Sequence, residues 1–141
     1  MKNSISIQQI KEELNFHKDK WVIVFGSWLS NYYMPDRSDI DVAILSKNQN
    51  REYNLQFWAD IIGNTPTNFD LRVFEILPLT LQMNIITNYQ VIYGDALEIS
   101  EYLYYYRKIW SYARFRIEEN KIKTIGEKKR GIKKRLNLVN L

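Results

Sequence analysis

Few residues in this chain could do chemistry, and the most suggestive stand close together. Asp39 and Asp41 lie two apart at the entrance of the apolar run "IDVAIL". In an extended strand side chains alternate, so both carboxylates project to the same side. Two neighbouring carboxylates repel unless one is protonated or a cation neutralises them, and a divalent ion is the usual neutraliser. The same two residues can be read more plainly, with Asp39 closing a turn and Asp41 merely exposed. Two further features favour the metal reading. Gly26-Ser27 directly follows the apolar run "WVIVF", and a glycine there lets backbone N–H groups and the Ser27 hydroxyl approach a phosphate. Asp70 is a third carboxylate near the start of another alternating run, "FDLRVFEIL". Three carboxylates and a phosphate-cradling turn at strand ends are the parts of a two-metal phosphoryl or nucleotidyl transfer site.

Composition narrows the choice. The 141 residues include no cysteine and one histidine, His17. Thiol nucleophiles, disulfides and Cys-based zinc sites are excluded, and oxygen ligands suited to Mg²⁺ or Mn²⁺ are what remains. With 45% apolar residues the chain can build one core. We expect one domain over residues 1–120 and a basic tail over 121–141. That tail holds eight Lys or Arg against one Glu, a balance of +7, so the first 120 residues, with 12 basic and 15 acidic, carry −3. The tail reads either as a solvated end or as a contact for RNA or an acidic partner. No run of about 20 apolar residues and no secretory-type leader is seen, so a cytoplasmic protein is expected.

The elements that must hold these residues follow from periodicity. Ser6 and Gln9 form a capping-box signature before a helix over roughly Ile7 to Lys18. Strands are expected at Trp21–Phe25, Ile40–Leu45, Phe69–Leu77 and "YQVIYG". Leu55, Trp58, Ile61 and Ile62 give a helix over Arg51–Ile62 stopped by Gly63. Pro78 opens a short helix to about Asn88. A last helix, from about Ala96 to about Lys121, carries a seam of Ile99, Leu103, Tyr106, Trp110, Ala113 and Ile117. Beside it runs a second stripe of Tyr102, Tyr105, Ile109 and Tyr112. Either one wide face is buried within the domain, or the second stripe meets a partner or another copy of the chain. The order of elements predicts an α/β (α+β) fold with one small mixed sheet flanked by helices.

The stretch "FGSWLSNYYMPDRSDIDVAIL" resembles the G-S…D-x-D signature of the nucleotidyltransferase superfamily that includes DNA polymerase β, and within it the minimal nucleotidyltransferases. "FDLRVFEILPLTLQMNIITNYQVIYGD" is similar to the continuation in that group. The resemblance implies that Gly26 and Ser27 bind the triphosphate of ATP, that Asp39 and Asp41 ligate two Mg²⁺ ions, and that Asp70 holds the metal activating the acceptor hydroxyl. It further implies AMP transfer to a tyrosine of a HEPN-type ribonuclease toxin, with this chain as antitoxin. The other readings are an antitoxin that neutralises by docking alone and a small-molecule nucleotidyltransferase. Eleven residues separate Ser27 from Asp39 where ten are usual, which predicts a one-residue bulge.

Other polar residues are expected to be structural: His17 as an exposed or capping group, Glu75 as a salt-bridge residue, Glu12 and Glu13 as an exposed helical face. Arg72, on the face of Asp70, is expected either to contact phosphate or to pair with a site carboxylate.

Overall fold

The computed structural model describes residues 5–30 and 39–139, with side chains described up to Asn120 and at Gly126. Four strands, β1 (Trp21–Phe25), β2 (Ile40–Leu45), β3 (Phe69–Val73) and β4 (Tyr89–Tyr93), form one sheet in the order β3-β2-β1-β4. β1 pairs antiparallel with β2 and β4, whereas β2 and β3 are parallel, so the sheet is mixed as expected. The β2–β3 crossover contains α2 (Arg51–Ile62), capped by the Asn50 side chain, which accepts from Tyr53 N at 2.8 Å.

Alternation in β1 and β2 serves two cores at once. Val22, Val24, Ile40, Val42 and Ile44 point to one face, with Ile10 and Leu14 from the N-terminal helical segment and Ile61 of α2. Ile23, Phe25, Ala43 and Leu45 point to the other, where Ile85 of α3 (Leu79–Thr87) and Ile99, Leu103 and Tyr106 of α4 (Ala96–Val139) pack. Both faces are buried, which is why these strands read as nearly unbroken apolar runs.

Three elements depart from expectation. α1 stops at Glu13, and Asn15–His17 form a 3-10 turn that carries Leu14 and His17 inward. β3 ends at Val73 because Phe74–Ile76 turn away as a 3-10 segment. Continued alternation would have aimed Glu75 at the apolar face of Val73; the turn instead buries Phe74 edge-to-face on Tyr106, with centroids 4.9 Å apart. α4 continues to Val139 rather than ending near Lys121, since its basic half is rich in Lys, Arg, Ile and Leu and has no proline.

One compact unit ends at Tyr106 and a second begins at Arg107. In the first, Ile99, Leu103 and Tyr106 are buried as the seam requires, while Tyr104 and Tyr105 are exposed. In the second, Trp110 and Ala113 are half-buried and Ile109, Tyr112, Phe115 and Ile117 are exposed, so the seam is not buried at Ile117. The side chains of Lys121 to Leu141, apart from Gly126, lie outside the described residues, and with them any contact of the basic stretch. Among the described residues no helix is long and apolar enough to cross a membrane.

Candidate active site

Asp41 lies between Ile40 and Val42, which face the first core, so its own side chain faces the second side of the sheet. Asp70, between Phe69 and Leu71, does the same on β3. The parallel register sets Asp41 directly beside Asp70, and Asp39 lies two residues before Asp41 on the same side, just ahead of β2 and exposed. The three predicted carboxylates therefore share one face at the end of the β2–β3 pair.

They act on each other electrically. Burial, and next the Asp70 carboxylate, push the Asp41 carboxyl above the usual aspartate range; Asp39 adds to the rise and Arg72 opposes it. Arg72 Nε lies 3.4 Å from Asp70 Oδ2, with both side chains well exposed. Of the two roles expected for Arg72, pairing with a site carboxylate is the one observed, and a pair this open to water contributes little stability.

The antiparallel register brings Phe25 opposite Asp41, so Gly26 emerges from β1 beside that carboxylate. Gly26 has φ +77°, a conformation that favours glycine, and a Cβ built on it would lie 2.3 Å from Asp41 Oδ2. Backbone and carboxylate thus touch where a side chain would separate them. Gly26–Leu29 then form a 3-10 turn in which Ser27 is half-buried and its carbonyl accepts from Ser30 N at 3.0 Å. Trp28, bulky in a segment where small residues would be easier to place, packs against the first core and donates from Nε1 to Ile5 O at 3.2 Å. The one-residue bulge expected before Asp39 falls largely on residues 31–38, outside the described residues.

Among the described residues no three His, Asp or Glu side chains gather closely enough to form a ready cage for a cation. This agrees with the chemistry of Mg²⁺, which keeps several waters and is held by one or two carboxylates together with substrate phosphates. The donor set fits such an ion: all oxygen, mutually repelling, and at the edge of the buried sheet.

Two residues are not where sequence reasoning put them. His17 is fully buried, and its Nε2 meets Thr65 Oγ1 at 3.0 Å. Because that hydroxyl donates to Ile61 O, His17 Nε2 is the donor, and Nδ1 is buried without a partner among the described residues. Burial, with Lys20 nearby, lowers the imidazole pKa; Asp19 pulls weakly the other way. Nothing local signals this, since Thr65 is 48 residues away. Glu75 makes no ion pair among the described residues. It accepts from Ser46 N at 3.0 Å, Lys47 N at 2.8 Å and the Tyr102 hydroxyl at 2.6 Å, tying the exit of β2 to α4. Glu12 and Glu13 are exposed, as expected.

A parallel strand pair carrying carboxylates, a glycine turn delivered by the adjacent strand and helices on both faces define a class, the polymerase-β-like nucleotidyltransferases. Residues 8–97 match the family described as polymerase beta, nucleotidyltransferase. A Methanocaldococcus jannaschii protein named as a candidate protein adenylyltransferase is 38% identical over 107 residues, which are 76% of this chain and 82% of that protein. The chain belongs to the polymerase beta nucleotidyltransferase family and is an enzyme of the nucleotidyltransferase class. Solved structures share the fold at low identity. A toxin–antitoxin structure with AMP-PNP matches at 14% identity and TM-score 0.57, over 78% of this chain and 90% of that one. A triply AMPylated Shewanella oneidensis HEPN toxin in complex with its MNT antitoxin matches at 14% identity and TM-score 0.50, over 77% and 86%.

Proposed function

We propose that this chain transfers AMP from ATP to a hydroxyl of a protein, a tyrosine of a HEPN-type toxin, and thereby acts as the toxin's antitoxin. The observation that carries the nucleotidyl-transfer part is the contact of Gly26 with the Asp41 carboxylate, beside Asp70. A phosphate chain lying on the Gly26–Ser27 backbone would be next to the carboxylate that holds its counter-ion. The adenylyl and partner parts draw on the name of the Methanocaldococcus relative and on the toxin–antitoxin complexes that share the fold.

In this reading Gly26 and Ser27 hold the triphosphate by backbone N–H groups and the Ser27 hydroxyl, and Asp39 and Asp41, with Asp70, hold Mg²⁺. When bound, the metal supplies charge neutralisation at the attacking and leaving oxygens. Asp70 accepts the proton of the acceptor hydroxyl as its oxygen attacks the α-phosphorus. The new P–O bond forms as the bond from the α-phosphorus to the bridging oxygen breaks, and pyrophosphate leaves with that oxygen. No protein nucleophile is needed, in keeping with the absence of cysteine. The exposed Tyr112, Phe115 and Ile117 are an apolar surface that a partner would cover.

The test is incubation with α-labelled ATP, Mg²⁺ and a HEPN partner protein. Label on the partner's tyrosine, lost with Asp41→Asn, is expected. Neutralisation of the toxin that survives Asp41→Asn would favour docking alone.

A further inference from the structure

One row of side chains crosses the sheet from edge to edge on the face of the carboxylates. Asp70 pairs with Asp41, Asp41 with Phe25 and Phe25 with Tyr89, so each strand contributes one member. Phe25 and Tyr89 both pack in the second core, which sets them on the side that Asp41 and Asp70 face. The row thus ends in a phenol. Gly26 follows Phe25 directly, so the Gly26–Ser27 turn leaves β1 with the carboxylates on one flank and the start of β4 on the other. Neighbouring strands are about 4.8 Å apart, which puts the Tyr89 backbone roughly 5 Å from that of Phe25, within reach of the turn for a side chain as long as tyrosine.

The hydroxyls at this end of the sheet are not alike. Ser30 Oγ donates to Ser27 O at 2.9 Å, and Thr87 Oγ1 donates to Asn84 O at 2.7 Å. Those of Ser27 and Tyr89 make no hydrogen bond among the described residues, and both side chains are half-buried.

We infer that Tyr89 is a further nucleotide-binding residue, whose hydroxyl donates to the terminal phosphates of the triphosphate, the part that leaves as pyrophosphate. The inference rests on the transferase reading and adds to the turn from β1 a donor from β4. The direction of the phosphate chain decides which phosphates that donor meets. Attack is at the α-phosphorus, which must lie by Asp41 and Asp70, on the flank of β2 and β3. The β- and γ-phosphates, lying on the Gly26–Ser27 backbone, are then carried away from the carboxylates and toward β4. Repulsion between the terminal phosphate and Asp39 and Asp70 favours the same direction.

The test compares Tyr89→Phe, which keeps the ring, with the parent chain in calorimetric titrations of ATP, AMP and pyrophosphate, all with Mg²⁺. Binding of ATP and of pyrophosphate should each weaken about tenfold, the scale of one hydrogen bond to a charged group, while AMP binding and the thermal midpoint stay unchanged. A purely structural tyrosine would move all three ligands together. Equal losses for AMP and ATP, or unaltered binding of ATP and pyrophosphate, would overturn the assignment. If Asp41→Asn still abolished the Mg²⁺ dependence of ATP binding, the transferase reading would stand without it. If neither variant altered ATP binding, the transferase reading would fall and the role of Tyr89 with it.

Discussion

The two ends of β2 both meet carboxylates, and they treat them in opposite ways. At the exit, Glu75 is met by two backbone N–H groups and a tyrosine hydroxyl, so its charge is used to hold the loop after β2 against α4. At the entrance, Asp41 is half-buried with Asp70 and Asp39 beside it; burial first, and then the neighbouring carboxylates, raise its carboxyl, and among the described residues Arg72 is the charge that opposes them. A carboxylate whose donors come from the fold is a structural part. One whose neighbours are other carboxylates is held in a state that a bound cation would relieve, and such perturbed groups concentrate at functional sites.

Exchanging the roles of the two ends should fail in predictable directions. Asp41→Asn should lower AMP transfer by at least about 10²–10³-fold, the scale of losing one preorganised electrostatic group, without lowering the thermal midpoint measured free of divalent ions. Gly26→Ala forces both a clash with Asp41 and a left-handed backbone on a residue with a side chain. It should cost about 1–3 kcal/mol in denaturant unfolding and weaken ATP binding as well. Glu75→Ala should cost a similar 2–3 kcal/mol by orphaning Ser46 N and Lys47 N, yet leave ATP affinity unchanged. If instead Glu75→Ala abolished ATP binding while Asp41→Asn only destabilised, the contrast between the ends would be inverted.

The smallest effect is at His17. Its imidazole titrates below the ordinary value of 6.5 in the folded chain, so it is neutral in both states well above that value and costs nothing there. As pH falls below about 6.5 the unfolded chain takes up the proton first, and stability is lost toward the folded value. The fall in thermal midpoint between pH 7.5 and pH 5.5 should therefore be smaller in His17→Gln than in the parent chain.

Much of this was legible in the sequence because its signals are local. The apolar runs of β1 and β2 have the length and composition of strands buried on both faces, and the two-residue step from Asp39 to Asp41 sets their common side whatever the tertiary context. The Ser6–Gln9 capping box is likewise a four-residue property, and both of its hydrogen bonds are present. What was not legible depends on distant partners. Glu75 read as a salt-bridge residue because Ser46, Lys47 and Tyr102 lie about 27–29 residues away in either direction. His17 read as an exposed or capping group because its neighbours Lys18, Asp19 and Lys20 make no ligand set, while its hydrogen-bond partner Thr65 is 48 residues away. Trp58 shows in the sequence only as one of the apolar residues whose spacing marks the helix Arg51–Ile62. Its exposure and its bond to Leu71 O arise only once β3 is known to be the sheet's edge.

The central claim is that Asp41 and its neighbours hold the metal that brings ATP to Gly26 and Ser27. Calorimetric titration of ATP into the full chain, with and without Mg²⁺, tests it most directly. The parent chain should bind ATP at least tenfold more tightly with Mg²⁺, and Asp41→Asn should lose that dependence. ATP affinity indifferent to Mg²⁺, or a Mg²⁺ effect undiminished in Asp41→Asn, would contradict the account.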